Sequence, residues 1–211
     1  MYLSRIFLNT DKRDTVRALS NPSILHGAVE QSFSGGRQSP LWRLDELNGK
    51  PCLLVLSIDK PEYTAIVGQF GFEGDEWETK SYSPVLEKAT VGSKWNFRLT
   101  ANPTYSKSDG SDKRGTVCAH RTPAHQKQWL IEQSAKRGFK VTEESFDVTR
   151  SKWIQFIKHS DGNRKVTFLS VTFEGILEVT DKELFAEILC AGIGRAKSYG
   201  QGLLTVVRPH V

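Results

Sequence analysis

The sequence predicts an α+β protein made of two tandem ferredoxin-like domains, each with the βαββαβ order that RRM domains also show. The length supports this fold, because 211 residues suffice for two domains of about 100 residues each. Strand and helix patterns also recur in the same order in the two halves of the chain. We therefore expect an N-terminal domain over residues 1–92 and a C-terminal domain over residues 93–211.

The first half opens with alternating apolar residues, which predict a strand. Asn21 and Pro22 predict the start of a helix, since Asn is a preferred N-cap and Pro a preferred first helical residue. Asn48 and Gly49 predict a turn between two strands. The expected elements are a strand over 2–9, a short helix over 11–19, a helix from 22 ended by Ser34, Gly35 and Gly36, strands over 41–44 and 52–58, and then a less regular stretch with a weak second helix and last strand.

The second half is the better defined of the two. Thr122 and Pro123 predict a helix start and Gly138 its end. Residues 102–121 form a polar insertion with a possible hairpin tip at Asp109 and Gly110. The other expected elements are a strand over 94–101, strands over 151–157 and 166–179, a helix over 181–191, a glycine-rich loop over 192–202 and a strand over 203–207.

The charge of the chain is distributed unevenly. Residues 1–93 hold 10 Lys and Arg against 12 Asp and Glu, whereas residues 94–211 hold 19 against 12, a net charge of +7. A chain with one basic half has the electrostatic pattern of a protein that binds a polyanion. A basic surface without a partner fits the same charges, so both interpretations stay open on charge alone.

The glycine-rich loop holds four glycines and two cations, Arg195 and Lys197, in eleven residues. Such a loop lets backbone N–H groups approach phosphate oxygens. It is not a P-loop, because Ala196 rather than Gly precedes Lys197 and the loop leads into a strand. Phosphate binding and a flexible helix-to-strand connection both fit this pattern.

The polar insertion is the second candidate site, because it carries Lys107, Lys113, Arg114 and Arg121. Insertions of this length inside a compact domain tend to be functional or disordered. Basic side chains on a hairpin can enter an RNA groove or contact its backbone. A solvated loop is the equally open alternative.

His26 is the third candidate, with Ser23 one turn before it and Glu30 one turn after it on the same helix face. A histidine of pKa near 6.5 suits proton transfer at neutral pH. A single helical histidine is more often structural, so the residue type alone does not establish catalysis.

Metal and membrane sites are not expected. Cys52, Cys118 and Cys190 are far apart and lack CxxC spacing, so we expect three reduced thiols and no metal or cofactor. No apolar run approaches the ~20 residues of a membrane span, and the N-terminus lacks a secretory pattern. The sequence therefore predicts a cytoplasmic protein.

Together these pieces resemble the CasE family, the CRISPR RNA endoribonucleases of the Cascade surveillance complex. The resemblance spans nearly the whole chain, and its short motifs occur in family order. They are Met-Tyr-Leu-Ser at 1–4, Asn-Pro-x-x-x-His at 21–26, Phe-Arg-Leu-Thr-Ala-Asn-Pro at 97–103, Lys-Arg at 113–114, Thr-Pro at 122–123, Trp-Leu at 129–130, Phe-Glu-Gly at 173–175 and Gly-Ile-Gly-x-Ala-Lys-Ser-x-Gly-x-Gly-Leu-Leu at 192–204.

The resemblance implies a metal-independent endoribonuclease that binds a CRISPR repeat stem-loop and cuts at its 3′ base. It implies attack by the 2′-hydroxyl, products with 2′,3′-cyclic phosphate and 5′-hydroxyl ends, retention of the RNA, docking with other Cascade subunits and a monomer when free. His26 falls on the family's catalytic histidine. The implied RNA-binding residues are Arg98, Asn102, Lys107, Lys113, Arg114, Arg121, Gly194, Arg195, Lys197, Ser198 and Gly200.

The chain departs from the family pattern at two positions. Ser23 stands where members often carry Tyr, and an aliphatic hydroxyl is a far poorer acid than a phenol of pKa near 10. Gln31 stands where some members carry Lys, so another cation must stabilise the charge at phosphorus. Lys158 is the first candidate for that cation and Lys197 the second.

Ser23 also supports an alternative function, in which the protein is a non-catalytic subunit that binds the CRISPR hairpin and relies on a different nuclease for cleavage. A third possibility is a basic two-domain protein that binds no RNA. Cleavage and binding assays with repeat RNA separate the three.

Overall fold

The protein is described here by a computed structural model that covers residues 1–33, 39–74, 77–108, 110, 115–158 and 162–209. These residues form six α-helices and eleven strands. None of the helices among them is both long enough and apolar enough to cross a bilayer.

The first sheet has the strand order β2-β3-β1-β4, with antiparallel neighbours throughout, which is the ferredoxin-like arrangement. Asn48 and Gly49 form the turn between β2 and β3, with φ values of 53° and 74°. The elements of this half are β1 (Tyr2–Phe7), α1 (Arg13–Ser20), α2 (Pro22–Gln31), β2 (Leu41–Leu47), β3 (Lys50–Ser57), α3 (Thr64–Phe70), β4 (Glu78–Ser81) and α4 (Ser83–Lys88).

The second sheet repeats the same topology with the order β11-β5-β10, and β8 and β9 share the free edge of β10. The predicted pair of ferredoxin-like domains is therefore confirmed. The elements of this half are β5 (Lys94–Ala101), β6 (Thr104–Lys107), β7 (Thr116–Ala119), α5 (Pro123–Ala135), β8 (Phe139–Lys140), β9 (Phe146–Lys158), β10 (Arg164–Val179), α6 (Lys182–Ala191) and β11 (Leu204–Val207).

Three stretches are better defined in the structure than in the sequence. The stretch with the weak second helix and last strand contains α3, β4 and α4. The polar insertion is a two-stranded ribbon, in which β6 pairs with β7, in agreement with the hairpin suggested for it. The longer helix ends at Gln31, and the predicted terminator at 34–36 lies outside the described residues, as does Asp109 at the predicted hairpin tip.

A projecting ribbon made by the outer parts of β9 and β10 positions the candidate site. Strand β5 pairs only with Val171–Glu178 of β10, whereas β9 continues to pair with β10 out to Arg164. The two-stranded end over residues 151–158 and 164–170, called the β9–β10 ribbon below, therefore extends beyond the sheet toward the first domain.

Two apolar clusters hold the molecule together. One lies inside the first domain, between its sheet and its helices, and includes Leu25, Val29 and Phe70. The other fills the second domain and also takes in Leu41 and Leu56 of the first. The domains thus share buried apolar surface, and we propose Gly92, with φ 81°, as the point where the chain passes from one to the other.

Candidate active site in the cleft between the domains

His26 lies on α2 and faces the second domain. Its ring meets the Tyr199 ring edge-on, with centroids 6.4 Å apart, and Tyr199 belongs to the glycine-rich loop. The His26 Nε2 is 3.5 Å from Glu30 Oε1, one turn along the helix. The imidazole keeps 23% of its surface exposed, so it is accessible from solvent and not part of the core.

Tyr199 in turn contacts the β9–β10 ribbon. Its ring stacks on Phe168 at a centroid distance of 6.0 Å and meets Phe156 edge-on at 5.0 Å. Helix α2, the glycine-rich loop and the β9–β10 ribbon therefore meet at one point, although more than a hundred residues of sequence separate α2 from the other two segments.

The start of α2 is fixed by Asn21, as the sequence predicts. Its Oδ1 accepts a hydrogen bond from the Ser23 backbone N–H at 3.2 Å. Its Nδ2 donates to the Ile157 carbonyl at 3.2 Å, which ties the helix to the end of the β9–β10 ribbon. Lys158 is the next residue of that strand, so its backbone lies beside the start of the helix that carries His26.

Ser23 takes part in this cap. Its hydroxyl donates to Asn21 Oδ1 at 2.6 Å, on the same oxygen that accepts the backbone N–H. The hydroxyl proton is thus committed to the helix cap, and Ser23 would have to break that hydrogen bond to donate a proton to RNA.

The glycine-rich loop has a defined conformation. The Ile193 N–H donates to the Gly202 carbonyl at 2.9 Å, and the Gly202 N–H donates to the Thr100 carbonyl at 2.6 Å. Gly200 has φ 75°, and a Cβ there would lie 2.7 Å from Trp42 Cζ3. These hydrogen bonds and the packing of Gly200 against Trp42 favour an ordered loop over a merely flexible connection.

The loop residues named for phosphate binding divide into two groups. Arg195 and Ser198 are exposed, whereas Gly200 is buried under Trp42. The Lys197 Nζ donates to the Ala191 carbonyl at 2.6 Å, at the C-terminal end of α6. Burial and the nearby Arg137 lower the pKa of Lys197. Its ammonium is engaged within the loop, so a phosphate bound by Lys197 would share that ammonium with the Ala191 carbonyl.

The other residues named for RNA binding lie on the second domain. Arg98 on β5 forms ion pairs with Glu174 and, at 3.6 Å, with Asp45. Asn102 is buried directly after β5, and Lys107 and Arg121 are exposed at the β6–β7 ribbon. Lys113 and Arg114 lie outside the described residues.

Two further cations line the cleft. Arg150 and Lys152 on β9 face Pro22 and Leu19 of the first domain across a narrow groove. Partial burial and the neighbouring Arg150 lower the pKa of Lys152. Their spacing of two residues on a strand, which places both on one face, was a signal in the sequence that could have identified them.

Arg43 on β2 is a functional element that the sequence did not reveal. Its guanidinium is 2% exposed and forms a bidentate ion pair with Asp45, with contacts of 2.8 and 2.7 Å. It also donates to the carbonyls of Arg98 and Leu203, each at 2.9 Å, and to the Thr205 hydroxyl at 2.8 Å. Arg43 therefore joins the first domain to two strands of the second and fixes the width of the cleft.

Comparisons of the sequence with known proteins give matches that cover nearly the whole chain. A family described as CRISPR associated protein matches residues 1–208. The CRISPR-associated endoribonuclease Cse3 of Thermus thermophilus is 30% identical over 98% of this chain and 99% of its own length.

Solved structures of the same endoribonuclease are similar across the whole chain. A structure of Cse3 bound to 19-nucleotide RNA has a TM-score of 0.83 and 28% identity, over 98% of this chain and all of that one. A Thermus thermophilus Cse3 structure with an RNA representing a pre-cleavage complex has a TM-score of 0.81 and 26% identity, over 98% of each chain.

Proposed function

This chain belongs to the CRISPR-associated protein family, and from that membership and the geometry of its cleft we propose that it is the endoribonuclease that processes CRISPR repeat RNA. It binds the stem-loop of the repeat and cuts the pre-crRNA at the 3′ base of the hairpin. The observation that carries the proposal is the meeting of the accessible His26, the glycine-rich loop and the basic β9–β10 ribbon where the two domains join.

The proposed reaction uses a nucleophile that the RNA already contains. The 2′-hydroxyl attacks the adjacent phosphorus, a 2′-O–P bond forms, and the bond from phosphorus to the 5′-oxygen breaks. One product ends in a 2′,3′-cyclic phosphate and the other in a 5′-hydroxyl. The proton lost by the 2′-oxygen is balanced by the proton that the leaving 5′-oxygen gains, so no metal ion is needed in this scheme.

His26 is the residue that moves the proton in this scheme. An imidazole can hold or release a proton near neutral pH, and a positioned acid or base of this kind contributes about 10²–10⁴-fold to rate. Ser23 stays in a supporting role, because its hydroxyl proton is bonded to Asn21. The contact between Asn21 and Ile157 keeps the helix that carries His26 against the second domain.

Positive charge in the cleft stabilises the extra negative charge that develops on the phosphate oxygens. Lys158 is the proposed cation, since its strand end is bonded to the start of α2. Electrostatic stabilisation of this kind is usually a large part of catalysis at phosphorus. Arg150 and Lys152 extend the basic wall along the groove.

The stem of the RNA lies on the second domain in this proposal. The exposed Lys107 and Arg121 of the β6–β7 ribbon and the exposed Arg195 and Ser198 of the glycine-rich loop contact its backbone. Because these contacts involve the stem rather than the scissile bond, the protein retains the product after cleavage. We further propose that the free protein is a cytoplasmic monomer and that it docks with other Cascade subunits while it holds the crRNA.

The test is incubation of the cognate repeat RNA with the protein in EDTA, followed by analysis of the product ends. The proposal predicts one cut at the 3′ base of the hairpin, with a 2′,3′-cyclic phosphate on the upstream fragment. An RNA with a 2′-deoxy sugar at the nucleotide before the cut should bind and stay intact. Cleavage of that RNA at the same bond would refute attack by the 2′-hydroxyl.

The second candidate function is a non-catalytic subunit that binds the CRISPR hairpin. The commitment of the Ser23 hydroxyl to the Asn21 cap favours it, because the cleft then has one fewer proton donor. This candidate predicts tight, salt-sensitive binding of the hairpin without cleavage. The same incubation in EDTA, read for both bound and cut RNA, separates the two functions.

A further inference from the structure

A cavity of about 750 Å³ lies outside the cleft, and nothing in the proposed reaction uses it. It is bounded by the β6–β7 ribbon, the N-terminal end of α5 and the face of the β9–β10 ribbon that carries Trp153. Its lining comes from three separate segments of the second domain, so it is built by the tertiary fold. We call it the aromatic cavity.

Accessible rings form the walls of the aromatic cavity. The Tyr105 and His120 rings are 4.9 Å apart, and the His120 and His125 rings are 6.1 Å apart. Tyr105 is 45% exposed and Trp153, on the other side, is 53% exposed. Large rings left this open in a folded domain are what proteins use to stack unpaired nucleobases.

Asn102 supplies the polar group of the aromatic cavity. The residue is 7% exposed, it lines the cavity, and its Oδ1 accepts no hydrogen bond from the residues that the structure describes. A buried amide without its partner is uncommon in folded proteins. The amide offers one acceptor and two donors, and this set matches the N6 amino group and N7 of adenine.

Charge around the aromatic cavity favours RNA over a protein segment. Arg121 lies exposed at its rim, on the half of the chain that carries a net charge of +7. Burial and the adjacent His125 lower the pKa of His120, which favours the uncharged ring that can offer a stacking surface. A base can offer the Asn102 amide both a donor and an acceptor.

The position of the aromatic cavity relates it to the cleavage site. Trp153 is four residues before Ile157, whose carbonyl accepts from Asn21, so the two are about 13 Å apart along the strand at ~3.3 Å per residue. Lys152 and Ile154 line the cleft, so Trp153 between them lies on the opposite face of β9, and a flanking single-stranded nucleotide must pass around the end of the ribbon to reach the cavity.

We propose that the aromatic cavity holds one unpaired adenine of the RNA, stacked between Tyr105 and Trp153 and read by the Asn102 amide. The site rests on the proposed function, because the adenine belongs to the repeat RNA that the cleft binds. It adds a sequence-specific contact outside the stem to the shape-specific contacts of the basic surface.

The experiment measures equilibrium binding of repeat RNA that carries a 2′-deoxy sugar at the cut, with each unpaired flanking nucleotide replaced in turn by an abasic one. For wild-type protein, one position should weaken binding by about tenfold, as expected when one stacked base is lost. Guanine at that position should weaken it as well, since its O6 is an acceptor where adenine has a donor.

The Asn102→Asp variant keeps the shape of the side chain and removes its donor. It should bind the intact RNA about tenfold more weakly than wild type does, and its affinity should not fall further when the same position is abasic. Trp153→Ala, at an exposed position that tolerates truncation, should show the same insensitivity if Asn102→Asp does not fold. Gln128→Ala removes an exposed amide on α5 and should behave as wild type.

The outcomes separate this inference from the proposed function. Wild-type protein that binds no hairpin RNA would overturn both. If the hairpin binds but every abasic position has the same effect in wild type as in the Asn102 and Trp153 variants, the adenine site alone is overturned. Variants that bind RNA as wild type does but fail to assemble with the Cascade subunits would show that the cavity takes a protein partner instead.

Discussion

The His26 side chain is held from two directions by residues that belong to different domains. Glu30 lies one turn away on the same helix, and Tyr199 approaches from the glycine-rich loop of the second domain. The Tyr199 ring is itself packed against Phe156 and Phe168. The orientation of the imidazole therefore depends on how the second domain is folded and docked.

Tyr199 is a positioning residue for His26, and its substitution tests that role. Tyr199→Ala should lower the single-turnover cleavage rate by about 10- to 100-fold, the cost of a misplaced reacting group. Tyr199→Phe should retain the rate, because the contacts involve the ring. The affinity for uncleavable RNA should be unchanged in both variants. If Tyr199→Phe cleaves as slowly as Tyr199→Ala, the hydroxyl group rather than the ring positions His26.

The sequence indicated His26 from its residue type and its place in the family motif, but it could not indicate Tyr199. An aromatic residue in a glycine-rich loop carries no sign of the helix it will meet, because that contact spans 173 residues and depends on domain docking. Lys197 is a different case. Its charge indicated a phosphate contact, but the sequence could not show that the ammonium donates to the Ala191 carbonyl, because that bond depends on the fold of the loop.

At the scale of elements, the glycine-rich loop acts as a rigid connector between α6 and β11. It is bonded to itself through Ile193 and Gly202 and to β5 through Thr100. Gly200 packs against Trp42 of the first domain, which leaves no room for a side chain. The loop can therefore place Tyr199 and Arg195 at fixed positions in the cleft.

A Cβ at position 200 should disturb this connector. Gly200→Ala should lower the free energy of unfolding by about 1–2 kcal/mol for the left-handed backbone and by about 1–3 kcal/mol for the clash with Trp42. Gly92→Ala is the matched control, because Gly92 also has positive φ, 81°, but a Cβ there meets nothing within 4 Å. Urea denaturation gives the free energy of unfolding of both variants. Equal decreases in Gly200→Ala and Gly92→Ala would contradict the proposed clash with Trp42.

Element prediction succeeded where the pattern was local and failed where packing decided the outcome. Asn21 and Thr122 cap their helices as predicted, because a cap depends on neighbours in sequence. Helix α3 was predicted only as a weak second helix, because Gly68 lowers helix propensity in its interior. Burial of Ile66 and Phe70 in the first-domain core outweighs that cost.

For the whole molecule, Arg43 and the shared apolar cluster hold the two sheets in a fixed relation. One guanidinium contacts Asp45 on its own strand and accepting groups on β5 and β11. It is buried, so loss of the side chain removes a donor from the strand carbonyls and leaves the Asp45 carboxylate with only the longer contact to Arg98. The width of the cleft between the domains therefore depends on this side chain together with the shared apolar cluster.

Removal of the Arg43 side chain should be costly. Arg43→Ala should lower the free energy of unfolding by about 3–5 kcal/mol, the usual cost of breaking a buried ion pair. Arg5→Ala, which breaks the exposed pair with Glu78, should cost about 0–1 kcal/mol. Thermal and urea denaturation measure both. A loss for Arg43→Ala as small as that for Arg5→Ala would show that the domains are held by apolar contact alone.

The order of elements along the chain was enough to predict two ferredoxin-like domains, because each βαββαβ unit follows from local patterns and short connections. The docking of the domains was not predictable. It depends on Arg43, which reads in the sequence as an ordinary strand residue, and on apolar residues of both halves that enter one cluster. The cleft, and with it Arg150 and Lys152, exists only after docking.

The central claim is that the cleft aligns an imidazole with a phosphodiester whose own 2′-hydroxyl attacks. Single-turnover cleavage of the repeat RNA by wild type and His26→Ala, with enzyme in excess and EDTA present, tests it most directly. The variant should bind the RNA as wild type does and cut it about 10²–10⁴-fold more slowly. Cleavage by His26→Ala at the wild-type rate would contradict the claim.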